Sequence, residues 1–170
     1  NKFINRYADE MNTRYLASNV TSHFIEIYNN MFDEMQNHIE RWSESEPWVN
    51  EETVYQFVDN MNNFAANRQP EAKYHILNQF DLDSYHELVL FNETPEIGSV
   101  RLNDNLIINV DEWSGDYFED VPITLKAIAD SGYEFSHWSG EVSSTEPEIE
   151  VNITENSEIE AHFTNSSGLN

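Results

Sequence analysis

Apolar residues in the first eighty positions recur at spacings of three and four, the signature of amphipathic helices. Phe3, Tyr7, Met11 and Tyr15 form one stripe, broken at Ser18-Asn19. Val20, Phe24, Ile27, Met31, Met35, His38 and Trp42 form the next and predict a long helix over 20–42. Ser43 to Pro47 reads as a polar, acidic connection. Asn50 suits an N-cap, with Glu51 and Glu52 in the first turn that favours negative charge. Val54, Phe57, Val58, Met61, Phe64 and Ala65 make the third stripe. Pro70 suits the first turn of a fourth helix carrying Tyr74, Ile76, Leu77 and Phe80.

The period then changes to two. Ile149, Val151 and Ile153 alternate with polar residues across 148–154, and Ile159, Ala161 and Phe163 do so across 158–163. Glu155-Asn156-Ser157 between them reads as a hairpin turn. Further strands are expected at 85–91, 99–102, 106–110, 121–128 and 133–138. Short strands with polar turns and no helical stripe predict a small sandwich or barrel.

Composition sharpens this division. The four Met residues all precede position 82 and the five Gly residues all follow it. Residues 1–82 carry 13 acids and 6 bases, residues 83–170 carry 19 and 2, so most of the net charge of −24 lies in the second half. Such a chain has almost no cationic surface to displace counterions, which argues against nucleic acid and anionic membranes as partners. No apolar run is long enough to insert into a bilayer. Aromatics are 13% of the chain and argue for a packed core despite the negative mean hydropathy. The 170 residues hold no cysteine, which excludes disulfides, thiol catalysis and thiolate zinc sites. The chain opens on Asn1, and we expect it to be a piece of a longer protein. Four sequons, at Asn19, Asn92, Asn152 and Asn165, carry little weight in a chain this rich in Asn.

Candidate chemistry is sparse. There is no Gly-rich phosphate loop, nucleophile elbow or kinase signature. Glu34 and His38 stand four apart on the long helix and, with His75, are a candidate two-histidine, one-carboxylate metal set. The plainer reading is an ion pair that orients the helix. Arg41, Trp42, Trp48 and Arg68 are a candidate aromatic–cation cluster, read first as a clamp between helices. Asp111 to Asp120 is the densest acidic segment and a candidate Ca²⁺ loop. It lacks the EF-hand order, and a solvated loop turning at Ser114-Gly115 is the simpler expectation. Trp113, Tyr117, Phe118 and Trp138 are a candidate carbohydrate platform or, more simply, the core of a small β domain. No catalytic, cofactor-binding or metal residue is assigned from these patterns.

The run Gly98-Ser-Val100 with Leu102-Asn103, Val121 to Ala127, Gly132-Tyr133-Glu-Phe135-Ser-His-Trp138-Ser-Gly140 and Ile159-Glu-Ala161-His-Phe163 resembles the divergent internalin B-type repeat. The resemblance covers about 98–164. It implies a β-rich extracellular spacer or adhesion module of bacterial surface proteins. In the first half, a second set of residues, from Asp33-Glu34-Met35 and Arg41-Trp42 to His75-Ile76-Leu77 and Phe80, resembles the C-terminal end of a CotH-type kinase domain, of the spore coat protein H family. Asp33-Glu34-Met35, His38-Ile39, Arg41-Trp42, Trp48, Phe64-Ala65, Arg68, His75-Ile76-Leu77 and Phe80 carry that resemblance. It covers about 1–82 and implies the structural end of a catalytic domain whose nucleotide and metal ligands lie upstream.

The expectation is therefore an α+β chain. A bundle of about four helices at 1–82 precedes a small all-β repeat at 83–164, with a flexible tail at 165–170. The expected function is a non-catalytic accessory region of a secreted or cell-surface bacterial protein, with no cofactor. Its expected partners are the upstream part of its parent and a cell-surface or glycan partner. The alternatives are completion of an ATP-dependent kinase domain, and a glycan- or Ca²⁺-binding module. The helical half is also expected to keep an exposed apolar patch.

Overall fold

A computed structural model gives the structure of the chain and describes residues 1–166. It comprises α1 (Lys2–Met11), α2 (Ala17–Trp42), α3 (Glu51–Phe80), β1 (Tyr85–Phe91), β2 (Gly98–Leu102), β3 (Leu106–Ile108), β4 (Glu112–Phe118), β5 (Ile123–Ala129), β6 (Tyr133–Gly140), β7 (Glu148–Val151) and β8 (Ser157–Asn165). Two compact units result, one of Asn1–Asn12 with Ile76–Asn170 and one of Thr13–His75.

The chain is α+β, with three helices among the described residues where the stripes predict about four. The expected break at Pro70 does not occur, and Pro70 lies inside a continuous 30-residue α3. Proline removes one backbone hydrogen bond and crowds the carbonyl four residues earlier. Pro70 is exposed, so water can satisfy that carbonyl. Helix formers on both sides, Ala65-Ala66 and Glu71-Ala72-Lys73, carry the helix through.

The first unit is a two-sheet sandwich. Strands run β4-β1-β8-β6 in one sheet and β3-β2-β5-β7 in the other. All pairings are antiparallel except β1 with β8. Alternation places Leu88, Leu90, Ile159, Ala161 and Trp138 from the first sheet against Val100, Leu102, Ile123, Leu125 and Val151 from the second. The expected hairpin between 148–154 and 158–163 is not formed. β7 pairs with β5 and β8 with β6 and β1, so the intervening residues cross from one sheet to the other. Both strands still bury their apolar side chains in the same core, which is why their patterns look alike. β4 occupies the segment expected to be an acidic loop.

α1 belongs to this unit. The face it buries holds Ile4, Ala8 and Met11, so of the stripe that begins at Phe3 only Met11 is buried and Phe3 stays 62% exposed. Polar bonds tie the helix down. Asn5 Nδ2 donates to Pro122 O at 2.8 Å. The Asn12 amide donates to Asp116 O and accepts from Asp116 N, at 2.8 and 3.0 Å. Buried Asp9 accepts at Oδ1 from Tyr117 Oη and Asn103 Nδ2, both at 2.8 Å. Burial pushes the Asp9 carboxyl above its ordinary range, against the opposing pull of those two donors. Burial first and the Asp9 charge second push the Tyr117 phenol well above its own.

In the second unit α2 and α3 are joined by residues 43–50. Asn50 caps α3, its Oδ1 accepting from Thr53 N at 3.0 Å and Thr53 Oγ at 3.1 Å. At the other end of the chain, Asn165 lies in β8 opposite Tyr133, and Ser166 N donates to Gly132 O at 3.0 Å. The remainder of the expected tail, 167–170, lies outside the described residues.

Candidate functional site

The Thr13–His75 unit offers an apolar groove of about 320 Å³. α2 supplies Phe24, Ile27, Tyr28, Met31, Met35 and His38, and α3 supplies Val54, Phe57 and Val58. Trp48 closes one end, held by its Nε1 donating to Glu46 Oε2 at 2.9 Å. No residue of the 26-residue α2 is buried. Met31 is 50%, Phe57 57% and Phe64 59% exposed. Two helices have one shared seam, and the apolar positions of α2 span more of its circumference than one seam can cover. Phe32, Ile39 and Tyr55 line a much smaller hollow that shares Tyr28, Met35 and Val54 with the groove. No helix among the described residues is long and apolar enough to cross a membrane.

The sequence candidates are not assembled into sites. Among the described residues no group of three His, Asp or Glu side chains is placed to hold a metal ion, so Glu34, His38 and His75 do not form the two-histidine, one-carboxylate set. His38 lines the apolar groove, and His75 lies beside the Tyr74 ring at 6.2 Å. Arg41 stacks over Trp42 with 5.2 Å between guanidinium and ring centroid. Trp48 pairs with Glu46 instead, and the four-residue cluster with Arg68 is not formed.

The acidic segment is a strand for most of its length, with Glu112 to Phe118 paired to β1 throughout. A strand advances about 3.3 Å per residue, so its carboxylates are strung over roughly 20 Å. A Ca²⁺ shell needs oxygens at about 2.3–2.6 Å from one point. The candidate Ca²⁺ loop is therefore not built there, and neither is the solvated loop of the simpler expectation. Tyr117, Phe118 and Trp138 are buried, so these aromatics are the core of the β domain, the simpler of the two readings, and not a carbohydrate platform. Trp138 is fully buried beside Phe135 at 5.1 Å, and its Nε1 donates to Glu146 O at 3.0 Å. A register shift between Phe135 and His137 brings both aromatics to the core side.

Sequence reasoning missed two Ser–His–Glu groups on the β1/β4/β8/β6 sheet. Ser84 Oγ donates to Glu119 Oε2 and lies 2.9 Å from His86 Nε2, which is itself 3.5 Å from that oxygen. The bonds from Ser84 first, and from His86 second, hold the Glu119 carboxyl below its ordinary range. Ser139 Oγ lies 2.7 Å from His162 Nε2, with Glu160 Oε2 at 3.3 Å and the His137 ring stacked at 4.3 Å. A nucleophile relay needs the carboxylate on the second imidazole nitrogen, opposite the serine. In both groups the carboxylate contacts the same Nε2 as the serine, which makes a clamp between neighbouring segments. Cross-strand register joins Ser139 to Glu160 and His137 to His162, whereas Ser84 and Glu119 flank the ends of β1 and β4. No local spacing in the sequence announces these partners.

No curated protein and no solved structure matches the chain. The segment 109–167, which spans β4 to β8, matches the family model described as the divergent InlB B-repeat domain. The chain thus contains a repeat domain of the InlB B-repeat type, completed in the sandwich by β1, β2 and β3 from residues ahead of the match.

Proposed function

We propose that this chain is a non-catalytic spacer and interaction region of a secreted or cell-surface bacterial protein, in which the repeat sandwich is the spacer and the α2–α3 hairpin the interaction element. The observation that carries the reading is a 26-residue amphipathic helix with none of its residues buried. Met31, Phe57 and Phe64 each leave half or more of their surface exposed on these helices, and clustered exposed apolar side chains of this size mark interaction surfaces. The occupant of that face is the helical part of a CotH-like domain preceding this region in its parent. The surface habitat rests on the repeat family, and the CotH-like occupant on the residues from Asp33 to Phe80 that resemble that family.

The test is the behaviour of this chain alone and with the preceding segment of its parent added in trans. Exposed apolar surface should bind a hydrophobic dye and self-associate at high concentration. The added segment should abolish both and protect α2 amides from hydrogen exchange. A chain that stays monomeric, binds no dye and gains no protection would sink the reading. Measurable Mg²⁺–ATP binding by this chain would favour instead a part in phosphotransfer.

A further inference from the structure

The sandwich unit carries a second hollow, of different chemistry. A cleft of about 680 Å³ opens between α1, the β2–β3 turn and β5, lined by Lys2, Phe3, Asn5, Arg6, Asp9, Asn103, Asp104, Asn105 and Thr124. From this lining we infer that the cleft is a binding site for a neutral saccharide of about two sugar units.

Charge is the first argument. The chain has only eight Lys and Arg residues, and two of them, Lys2 and Arg6, stand one helical turn apart in this cleft. Each is matched by an acid. Lys2 Nζ lies 2.7 Å from Asp104 Oδ2, and Arg6 Nη2 lies 2.5 Å from Glu10 Oε1. A cleft whose cations are already paired gives a charged ligand no net attraction, in a chain that otherwise repels anions. The polar groups that remain are those that read hydroxyls. The Asn105 amide and the Thr124 hydroxyl, with the second amide N–H of Asn5 and of Asn103, combine donors with acceptors, as vicinal hydroxyl groups do.

Apolar surface is the second argument. Phe3 packs its ring against Tyr7 and Phe80, at 6.1 and 5.8 Å, and remains 62% exposed at the cleft. A ring braced on one side and open on the other is a platform for the C–H face of a pyranose. Rigidity is the third. Asn103 sits at φ 51°, its Oδ1 accepting from Thr124 N at 3.2 Å and its Nδ2 donating to Asp9. Asn5 is fixed to Pro122 O. Walls that are already ordered lose little freedom when a ligand arrives. The volume falls within the range of about 300–1,000 Å³ typical of small-molecule sites.

The test is an amide-detected NMR titration of the whole chain with cellobiose, maltose and N,N′-diacetylchitobiose, with glucuronic acid and diglycine as controls. At least one neutral disaccharide should saturate shifts confined to residues 2–9, 103–105 and 124. Phe3→Ala and Asn105→Ala, both at exposed positions, should weaken that binding by about tenfold or more with the remaining spectrum unchanged. Absence of saturable shifts with all three sugars overturns the inference. So does binding unaltered in both variants, or tighter binding of glucuronic acid or diglycine than of the sugars.

Discussion

Replacing Trp138 by Ala removes the largest fully buried side chain of the sandwich. An indole buries roughly 150–250 Å². At about 25 cal/mol/Å² that is ~4–6 kcal/mol against an extended unfolded chain. Compact denatured states reduce the figure by roughly 10–40%, to about 3–5 kcal/mol. Substitutions of this kind in other cores cost about as much. The bond from Nε1 to Glu146 O is lost as well, and it anchors the segment that leads into β7. Trp138→Phe keeps a six-membered ring in the core and loses the Nε1 donor, worth about 1 kcal/mol, together with the smaller part of the indole volume, so it should cost clearly less than alanine. Urea unfolding followed by far-ultraviolet circular dichroism of the β signal reads both variants without relying on tryptophan emission. For a unit of this size each kcal/mol moves the midpoint temperature by roughly 4–8 °C. The alanine variant should therefore melt some 15–30 °C lower, if it folds at all. A loss under about 1 kcal/mol would refute the placement of this indole between the sheets.

Gly140 lies at φ 94°, and a Cβ there would sit 2.2 Å from Glu158 O, so Gly140→Ala should destabilise the β6–β8 pair by about 2 kcal/mol or more, read by the same unfolding assay. Glu119 carries a depressed carboxyl, so its bonds stabilise the fold above the ordinary carboxylate pKa, and this is lost as pH falls through the lower folded value. Asp9, with a raised carboxyl, has the opposite sign and favours the folded state on acidification. Glu119→Gln should thus lessen the loss of stability below about pH 4, measured by thermal melts across pH, and an unchanged profile would remove this clamp from the account. Added NaCl should raise stability by screening a net charge of −24, with Ca²⁺ acting only through its higher charge. A saturable Ca²⁺ shift in melting temperature that is abolished by Asp116→Asn and Asp120→Asn would restore a specific site at β4.

Local pattern carried most of the secondary structure. Alternation marked the strands around Leu88, Val100, Ile123, Phe135, Val151 and Ile159, because one face of each is buried and the period of a strand is two. The long stripe from Val20 to Trp42 marked α2, and Asn50 marked the start of α3. What local pattern did not contain was partnership. Whether β7 pairs with β8 or with β5 leaves the inward set Ile149 and Val151 unchanged, so only the sheets themselves could decide. β4 was hidden because acids and Gly115 interrupt its alternation, although pairing with β1 and the burial of Tyr117 hold it extended. Phe3 and Ile4 both fit a helical stripe. The sandwich selected Ile4 for the core and left Phe3 at the cleft, because a helix buries only the face its neighbour reaches. That cleft joins residues about a hundred positions apart, and such a juxtaposition exists only once the strands and α1 have found one another.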